Sequence, residues 1–363
     1  MVNPRFVHSP RRILVPRSLT RLLAIRKPSI AIVGSGAVGG YYGARLWESG
    51  YEVNFYMRGD HYDISKANGL NVTSVHGDIF IPPEKLQAFN STKDIGTVDW
   101  VIVAIKSTAL ELIPELIAPL LNPGHTRVLA IMNGLIEDDL IHLLKKHFGE
   151  SNEDEGRIEC CGALYGGMAL VCCNRLGPGR IDHSYAGLLS SGVAAHSPNQ
   201  PMEQNRKAFE DLWGPVQIDT VFEPSLLGGR WRKNCWNLPF NGISVAMAGI
   251  TVDKIMTDPG LRQLAHHVMD ETIAAANADL KKHGFDESFY LGEADKKKMF
   301  DLSDGMGAYR TSTMIDFVER RPMEVKYLFR KPVEKAQSLG VPVPHLETLV
   351  LQIEALQKFH NLY

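Results

Sequence analysis

The sequence lacks the features that would identify a membrane, zinc-binding or disulfide-rich protein. No apolar run approaches the roughly 18 residues that a helix needs to cross a bilayer, which predicts a soluble protein. The five cysteines comprise the adjacent pairs Cys160–Cys161 and Cys172–Cys173 and the single Cys235. Neighbours on a strand point to opposite faces, so neither pair has zinc-site spacing, and an odd count argues against a disulfide framework. We therefore expect reduced, buried thiols and no bound metal.

Acidic residues are absent from the start of the chain, where the first one is Glu48. Residues 1–28 hold seven Lys or Arg, and Arg17 and Arg21 would share a helical face opposite leucines. This composition predicts a mitochondrial or plastid transit peptide. The alternatives are a disordered extension, with the protein in the cytoplasm, or a start codon assigned too early. After this leader, 32 basic residues stand against 41 acidic ones, which argues against nucleic-acid binding.

The remaining chain divides into two parts with different patterns. At 363 residues and 44% hydrophobic content, it is long enough for two domains. From Ser29, short apolar strands alternate with helices, which predicts a doubly wound, mainly parallel α/β sheet, with a hairpin at 70–81. Beyond about residue 223 the chain is predicted to be all-helical, with helices at 225–248, 259–283, 293–320, 322–339 and 345–360. We therefore predict an N-terminal domain at 29–223 and an all-α C-terminal domain at 224–363.

A glycine-rich motif follows the first predicted strand. In "GSGAVGG", Gly34, Gly36 and Gly39 form G-x-G-x-x-G between a strand and a helix, the context that dinucleotide binding requires. The first glycines let the backbone approach a pyrophosphate, and Gly39 lets the helix lie close to the strand. The alternative is an ordinary tight turn. The predicted cofactor loop of this Rossmann-type domain is Gly34, Ser35, Gly36, Ala37, Val38 and Gly39.

Polar residues follow three further strands of the predicted sheet. An NAD enzyme usually has an acid at the end of the second strand, but this chain has Arg58, which suits the 2′-phosphate of NADP(H). Asp60, two residues later, is expected to cap the next segment. Lys106 and Asn133 end two other strands at the edge where such a sheet binds its ligand. The alternative for both is a solvated loop position.

Three polar residues interrupt an apolar predicted helix, "RWRKNCWNLPFNGIS". Lys233, Asn237 and Asn241 recur every four residues and therefore lie along one helical face. Burying them without partners would cost several kcal/mol, so we expect them to face a binding site. Hydride delivery to a carbonyl carbon creates negative charge on the carbonyl oxygen, which a lysine can stabilise and protonate. The alternative for Lys233 alone is a surface residue.

Beyond the leader, the chain resembles the ketopantoate reductase (2-dehydropantoate 2-reductase) family. The matching segments are "IVGSGAVGG", "MRGDH", "AIKST", "MNG", "RKNCWNLPFN" and "TSTMIDFVERRPMEVKYL". The resemblance implies an NADPH domain, a helical C-terminal domain and an active site in the cleft between them. It also implies reduction of ketopantoate to pantoate, in the pathway to pantothenate and coenzyme A. Lys106 and Asn133 would line the nicotinamide side, with Asn133 also near the substrate.

The same resemblance implies roles for residues of the helical part. Lys233 would be the catalytic lysine. Asn237 and Asn241 would bind the substrate's hydroxyl and carboxylate region, and Ser312 would bind its carboxylate. Glu324 would act beside the lysine and also contact hydroxyls of the cofactor or substrate. The resemblance implies a small 2-keto acid as the substrate, and the protein is expected to be a monomer or homodimer that binds neither nucleic acid nor membrane.

Two departures from the family pattern keep alternatives open. Pro239 falls between the two asparagines and predicts a kink in their helix. Thr251 stands where some members have another substrate-contacting asparagine. The protein could therefore reduce a different 2-keto acid by the same mechanism, or be a non-catalytic NADPH-binding regulator. His183 and the His266–His267 pair are interpreted as ordinary strand and helix positions, since no acid partner or metal spacing accompanies them.

Overall fold

A computed structural model describes residues 26–151, 154 and 156–363. The strands in this part are Ser29–Val33 (β1), Glu52–Tyr56 (β2), Leu70–Ser74 (β3), Ile79–Ile81 (β4), Gln87–Phe89 (β5), Trp100–Val103 (β6), Arg127–Ile131 (β7), Ala163–Gly177 (β8), Arg180–His196 (β9) and Thr220–Phe222 (β10). The α-helices are Ala37–Glu48 (α1), Asp60–Asn68 (α2), Ile113–Ile117 (α3), Glu137–Phe148 (α4), Met202–Trp213 (α5), Leu226–Ala246 (α6), Val252–Thr257 (α7), Pro259–Lys282 (α8), Glu293–Asp304 (α9), Ser312–Val318 (α10), Lys331–Ser338 (α11) and Pro344–His360 (α12). A π-helical turn, Lys326–Arg330, precedes α11. Residues 1–25 of the predicted leader lie outside the described residues.

The strands form one mixed sheet in the order β4-β3-β9-β8-β7-β6-β1-β2-β5, with β10 paired to β9. From β8 through β7, β6, β1 and β2 to β5, all neighbours are parallel, as predicted. Strands β1 and β6 are buried along their whole length, which explains why their sequences are continuously apolar. The long hairpin β8–β9 is antiparallel because only two residues, Pro178 and Gly179, join its strands. The α/β fold class is confirmed, and the sheet is mixed.

The predicted hairpin at 70–81 is confirmed, with Leu70 paired to Ile81 across β3 and β4. Two other elements are not predicted above. Strand β8 is buried in its first half and half-exposed in its second, so it shows no single period along its length. Helix α5 buries Phe209, Leu212 and Trp213 at helical spacing. That spacing is the signal in the sequence for this helix.

The chain beyond residue 225 is helical, as predicted. The region 293–320 divides into α9 and α10, because glycines interrupt it and Gly307 has a φ of +60°. The predicted helix at 322–339 begins only with the π-helical turn at Lys326, after Pro322. The predicted boundary near residue 223 stays a prediction and lies in the connection between β10 and α6.

Helix α6 lies at the centre of the helical domain. It packs against α8, α10 and α12, and buries Trp231, Leu238 and Phe240 in a shared core. It continues from Leu226 to Ala246 through Pro239, so the proline does not divide it. No helix in the described part of the chain is both long and apolar enough to cross a bilayer.

The five cysteines are free thiols. Cys160, Cys161 and Cys235 are buried, as expected for small apolar side chains. The expectation of burial is wrong for Cys172 and Cys173, which are half-buried. They lie in the outer half of β8, where the strand leaves the core of the sheet.

Candidate active site

The glycine loop between β1 and α1 has the backbone that a dinucleotide pyrophosphate requires. A Cβ on Gly39 would lie 2.3 Å from the Gly34 carbonyl oxygen, and Gly34 itself has a φ of +98°. A Cβ on Gly36, in contrast, would meet no atom within 4 Å. Ala37 and Val38 open α1, whose first turn has no side-chain cap, so its N–H groups are available to an anion. The loop fits the cofactor that the sequence predicts.

The end of β2 lies beside this loop. The Ser35 hydroxyl donates to the Tyr56 carbonyl oxygen at 3.0 Å and so ties the loop to that strand. Arg58, two residues further on, is exposed and forms no hydrogen bond or ion pair within the described residues. Its guanidinium is therefore available for a phosphate. The expectation that Asp60 caps the next segment is wrong: Gly59 is the N-cap of α2, and Asp60 follows it as the first helical residue.

Lys233 projects from α6 towards the sheet. It is partly buried, and its ammonium donates to the carbonyl oxygen of Ala169 in β8 at 2.7 Å. Burial and the nearby Arg230 guanidinium lower the pKa of Lys233, the Glu324 carboxylate opposes both, and the resulting pKa is about 7. The lysine therefore holds a proton that it can release near neutral pH.

A chain of hydrogen bonds fixes the orientation of both asparagine amides. The Thr313 backbone N–H donates to Asn241 Oδ1 at 3.0 Å, and the Ser312 hydroxyl donates to the same oxygen at 3.3 Å. The Asn241 amide nitrogen therefore donates to Asn237 Oδ1, at 3.2 Å. This leaves the Asn237 amide N–H group buried without a partner among the described residues. An unpaired buried donor costs about 1–3 kcal/mol, so this group is suited to bind a ligand.

The two departures from the family pattern have local explanations. Pro239 lies between Asn237 and Asn241 but leaves their 3.2 Å hydrogen bond intact, because it removes only a backbone donor. Thr251 is the N-cap of α7, and its hydroxyl donates to the Asp253 carboxylate. Its hydroxyl is therefore engaged within its own turn.

Lys106 and Glu324 connect the end of β6 to the helical domain. The Ser107 N–H donates to Glu324 Oε1 at 2.7 Å. The Lys106 ammonium pairs with Asp316 at 2.6 Å and donates to the Pro322 carbonyl oxygen at 3.2 Å. Sequence reasoning missed Asp316. It lies four residues after Ser312, on the same face of α10, and that spacing was the available signal.

Asn133 follows β7 and is partly buried, and its side chain makes no hydrogen bond within the described chain. The loop that carries it is held in place from two directions. The Leu135 N–H donates to the Tyr327 carbonyl oxygen at 3.1 Å. On the other side, the Arg230 guanidinium donates to the Met132 carbonyl oxygen. Asn133 is thus positioned between the sheet and the helical domain.

Arg230 is a second residue that sequence reasoning missed. It is only 2% exposed, and its Nε donates to Glu137 Oε1 at 2.8 Å. Glu137 opens α4, directly after the Asn133 loop. The available signal was an arginine within an apolar helix, three residues before Lys233, since a buried guanidinium requires an acidic partner. The pair joins the lysine helix to the sheet.

His183, His266 and His267 have structural partners. Both His183 ring nitrogens are hydrogen-bonded, one of them to the Ser74 hydroxyl at 2.8 Å. His266 stacks on Phe300 with ring centroids 3.8 Å apart, and His267 stacks on another histidine at 4.7 Å. Within the residues that the structure describes, no group of three or more His, Cys, Asp or Glu could hold a metal ion.

Comparisons with known proteins agree with this architecture. The family model "Ketopantoate reductase PanE/ApbA" matches residues 30–195, and "Ketopantoate reductase PanE/ApbA C terminal" matches residues 225–357. The 2-dehydropantoate 2-reductase of Nostoc sp. is 32% identical over 329 residues, covering 90% of this chain and 94% of that one. The solved 2-dehydropantoate 2-reductase of Geobacter metallireducens is 31% identical, with a TM-score of 0.78 over 90% of this chain and 99% of that one.

The fold also occurs in an enzyme with a different name. The ternary structure of D-mandelate dehydrogenase with NADH and anilino(oxo)acetate is 20% identical, with a TM-score of 0.75, covering 92% of this chain and 100% of that one. That likeness concerns the fold alone. The two family models together match most of the chain, and they match both the sheet and the helical domain. The chain therefore belongs to the ketopantoate reductase family and is an oxidoreductase that acts on CH–OH groups.

Proposed function

We propose that the protein uses NADPH to reduce ketopantoate to pantoate, in the pathway to pantothenate and coenzyme A. One observation carries the proposal. The lysine whose pKa is lowered to about 7 lies one helical turn before an asparagine whose buried amide N–H has no partner. A lysine that can donate a proton, next to an amide that can donate a hydrogen bond, suits the carbonyl and carboxylate oxygens of a 2-keto acid.

Bound NADPH would supply the hydride to the keto carbon. The carbonyl oxygen then gains negative charge, and the Lys233 ammonium is the group that protonates it. An ammonium has three N–H donors, and Ala169 accepts from one of them, so two remain for the substrate. The Glu324 carboxylate favours the protonated lysine before the transfer, because it opposes the effect of burial on the pKa of Lys233.

The remaining polar groups are arranged to bind the acid. Asn237 can donate its unpaired amide hydrogen to a carboxylate or hydroxyl oxygen. The exposed Ser312 hydroxyl can rotate from Asn241 to the substrate, because Asn241 Oδ1 keeps the Thr313 N–H as a donor. These neutral donors bind oxygen without adding a positive charge next to the lysine, and such a charge would lower the pKa of Lys233 further.

The cofactor choice rests on Arg58. No carboxylate stands at the end of β2 to bind the ribose hydroxyls of NADH, and the free guanidinium there suits a 2′-phosphate. The glycine loop would hold the pyrophosphate. Lys106 and Asn133 would lie on the nicotinamide side, with Lys106 exchanging its contact with Asp316 for the cofactor or sharing it.

The acyl group of the substrate also needs a test, because the fold also occurs in D-mandelate dehydrogenase. Ketopantoate, phenylglyoxylate, pyruvate and 2-ketoisovalerate would each be assayed with NADPH and with NADH. We expect the highest kcat/KM for ketopantoate with NADPH. Equal or higher kcat/KM for another acid would assign the protein to that acid. NADPH binding without turnover of any acid would instead identify a regulator.

For the leader, we propose import into mitochondria or plastids. The support is compositional: seven basic residues and no acid within residues 1–28. Residues 1–28 would be fused to a fluorescent protein, alongside a control with Arg17 and Arg21 changed to glutamate. Organellar fluorescence that the control loses is the expected result. Cytoplasmic fluorescence of both fusions would overturn the proposal.

A further inference from the structure

His61 lies in the first turn of α2, three residues after Arg58. It is 6% exposed, and both of its ring nitrogens are hydrogen-bonded. Nε2 lies 2.7 Å from the carbonyl oxygen of Ser35, in the glycine loop. The N–H of Gly179, at the tip of the β8–β9 hairpin, donates to Nδ1 at 3.0 Å. The ring thus connects two loops that are far apart in the sequence.

These partners determine which nitrogen carries the proton. A backbone N–H can only donate, so Nδ1 is the acceptor and the proton is on Nε2, which donates to Ser35. Burial lowers the pKa of His61, which keeps the ring neutral at neutral pH and preserves this pattern. Reversing the tautomer would break both hydrogen bonds.

The bond to Ser35 also sets the direction of the next N–H group. In a planar trans peptide, the carbonyl and the following N–H point in opposite directions. Because the Ser35 carbonyl points at His61, the Gly36 N–H points away from it. Gly36 is the residue of the loop at which an added Cβ would meet no atom within 4 Å. It is also the N-cap of α1, where an anion would be bound.

We propose that His61 is a positioning residue for the dinucleotide: it holds the Ser35 carbonyl so that the Gly36 N–H faces the pyrophosphate. It also couples this loop to the tip of the β8–β9 hairpin through Gly179. The inference rests on the proposed function, since it requires a dinucleotide at the glycine loop. The hydrogen bond to Ser35 is the one that affects cofactor binding, and the hydrogen bond from Gly179 holds the imidazole ring of His61 in place.

The two contacts can be separated by substitution. In His61→Gln, the amide nitrogen reaches the position of Nε2 and can still donate to Ser35. In His61→Asn, the amide oxygen takes the position of Nδ1, which keeps the Gly179 contact and loses Ser35. The dissociation constant of NADPH would be measured by calorimetry. We expect it to rise about tenfold in His61→Asn, the usual effect of one hydrogen bond, and less than about threefold in His61→Gln. In both, kcat at saturating NADPH should stay within about threefold.

A matched control is His183→Asn, which alters another buried, doubly hydrogen-bonded histidine of the same domain. It should lower Tm without changing NADPH affinity. Amide exchange of residues 34–40, followed by mass spectrometry, should increase in His61→Asn and not in the control. This measurement needs no cofactor.

Three results would count against the proposal. Unchanged NADPH affinity in His61→Asn would overturn it. Equal losses of NADPH affinity in the Asn and Gln variants, proportional to their losses of Tm, would show a purely structural role for His61. That result would also overturn the proposal. Failure of the wild-type protein to bind NADPH or NADH would overturn the proposed function, and the role of His61 with it. The wild-type measurement therefore distinguishes the two failures.

Discussion

Replacing Lys233 by alanine removes the group that would protonate the keto oxygen. We expect kcat/KM for ketopantoate reduction to fall by about 10²–10⁴-fold at pH 7, the usual contribution of general acid catalysis. The affinity for NADPH should change little, because the ammonium contacts Ala169 and not the glycine loop. Steady-state turnover and calorimetric binding of NADPH separate the two effects.

The lowered pKa of Lys233 adds a pH dependence with a defined sign. Only the ammonium can act as the acid, and its pKa is about 7. The kcat/KM for reduction should therefore be level below about pH 6 and fall about tenfold per pH unit above about pH 8. Pantoate oxidation needs the neutral amine as a base, so its kcat/KM should rise about tenfold per pH unit below about pH 6 and be level above about pH 8. Lys233→Ala should abolish both limbs.

The matched control is Lys207→Ala, which removes an exposed lysine that pairs with Asp211 on α5. It should leave the rate and its pH profile unchanged. If Lys233→Ala loses less than about tenfold, or keeps the wild-type pH profile, Lys233 is not the acid. An unchanged profile with a large loss would point to a role for Lys233 in binding alone.

Four further predictions concern individual side chains. Arg58→Ala should weaken NADPH by about tenfold or more and leave NADH nearly unchanged, because only NADPH carries the 2′-phosphate; equal effects on both would refute that contact. Asn237→Asp should raise KM for the keto acid more than Asn237→Ala, since it places a second carboxylate beside that of the substrate; the reverse order would exclude a carboxylate contact. Asp316→Asn removes the ion pairs with Lys106 and Arg321, whose side chains are 41% and 50% exposed, so urea unfolding should show a loss of only about 1 kcal/mol. Lys233→Met should raise Tm most near pH 6 and least near pH 10. A lysine whose pKa is lowered by folding destabilises the folded state fully below about pH 7, and this penalty declines as the pH approaches the unfolded pKa of about 10.4.

Features that depend on neighbouring residues could be predicted from the sequence. The glycine loop is one, because a strand, three glycines and the start of a helix lie within residues 29–39, and a side chain on Gly39 would meet the Gly34 carbonyl oxygen. The helix that carries Lys233 and Asn237 is another, since polar residues four apart in an apolar segment define one face. In both, the local pattern was sufficient to place the residues on the correct element.

Features that depend on distant parts of the chain could not be predicted in this way. Arg230 and Glu137 are 93 residues apart, and nothing near either one indicates its partner. Lys106 pairs with Asp316, on a helix of the other domain. The hydrogen bond from His61 to the glycine loop requires the start of α2 to lie next to Ser35. Such contacts follow from tertiary packing within and between the domains, which a one-dimensional pattern does not contain.

The properties of Lys233 also depend on that packing. Its helix belongs to the helical domain, but the carbonyl oxygen that accepts its hydrogen bond is that of Ala169, in the sheet. Glu324, whose charge opposes the effect of burial, is held by the Ser107 N–H after β6. Arg230, whose charge lowers the pKa of the lysine, is held by Glu137 after β7. Moving the domains apart would hydrate the ammonium and return its pKa towards that of a free lysine, making it a poorer proton donor at pH 7. The acidity of Lys233 therefore depends on the docking of the two domains. A variant that weakens the Arg230–Glu137 contact should move the pH profile of kcat/KM towards higher pH.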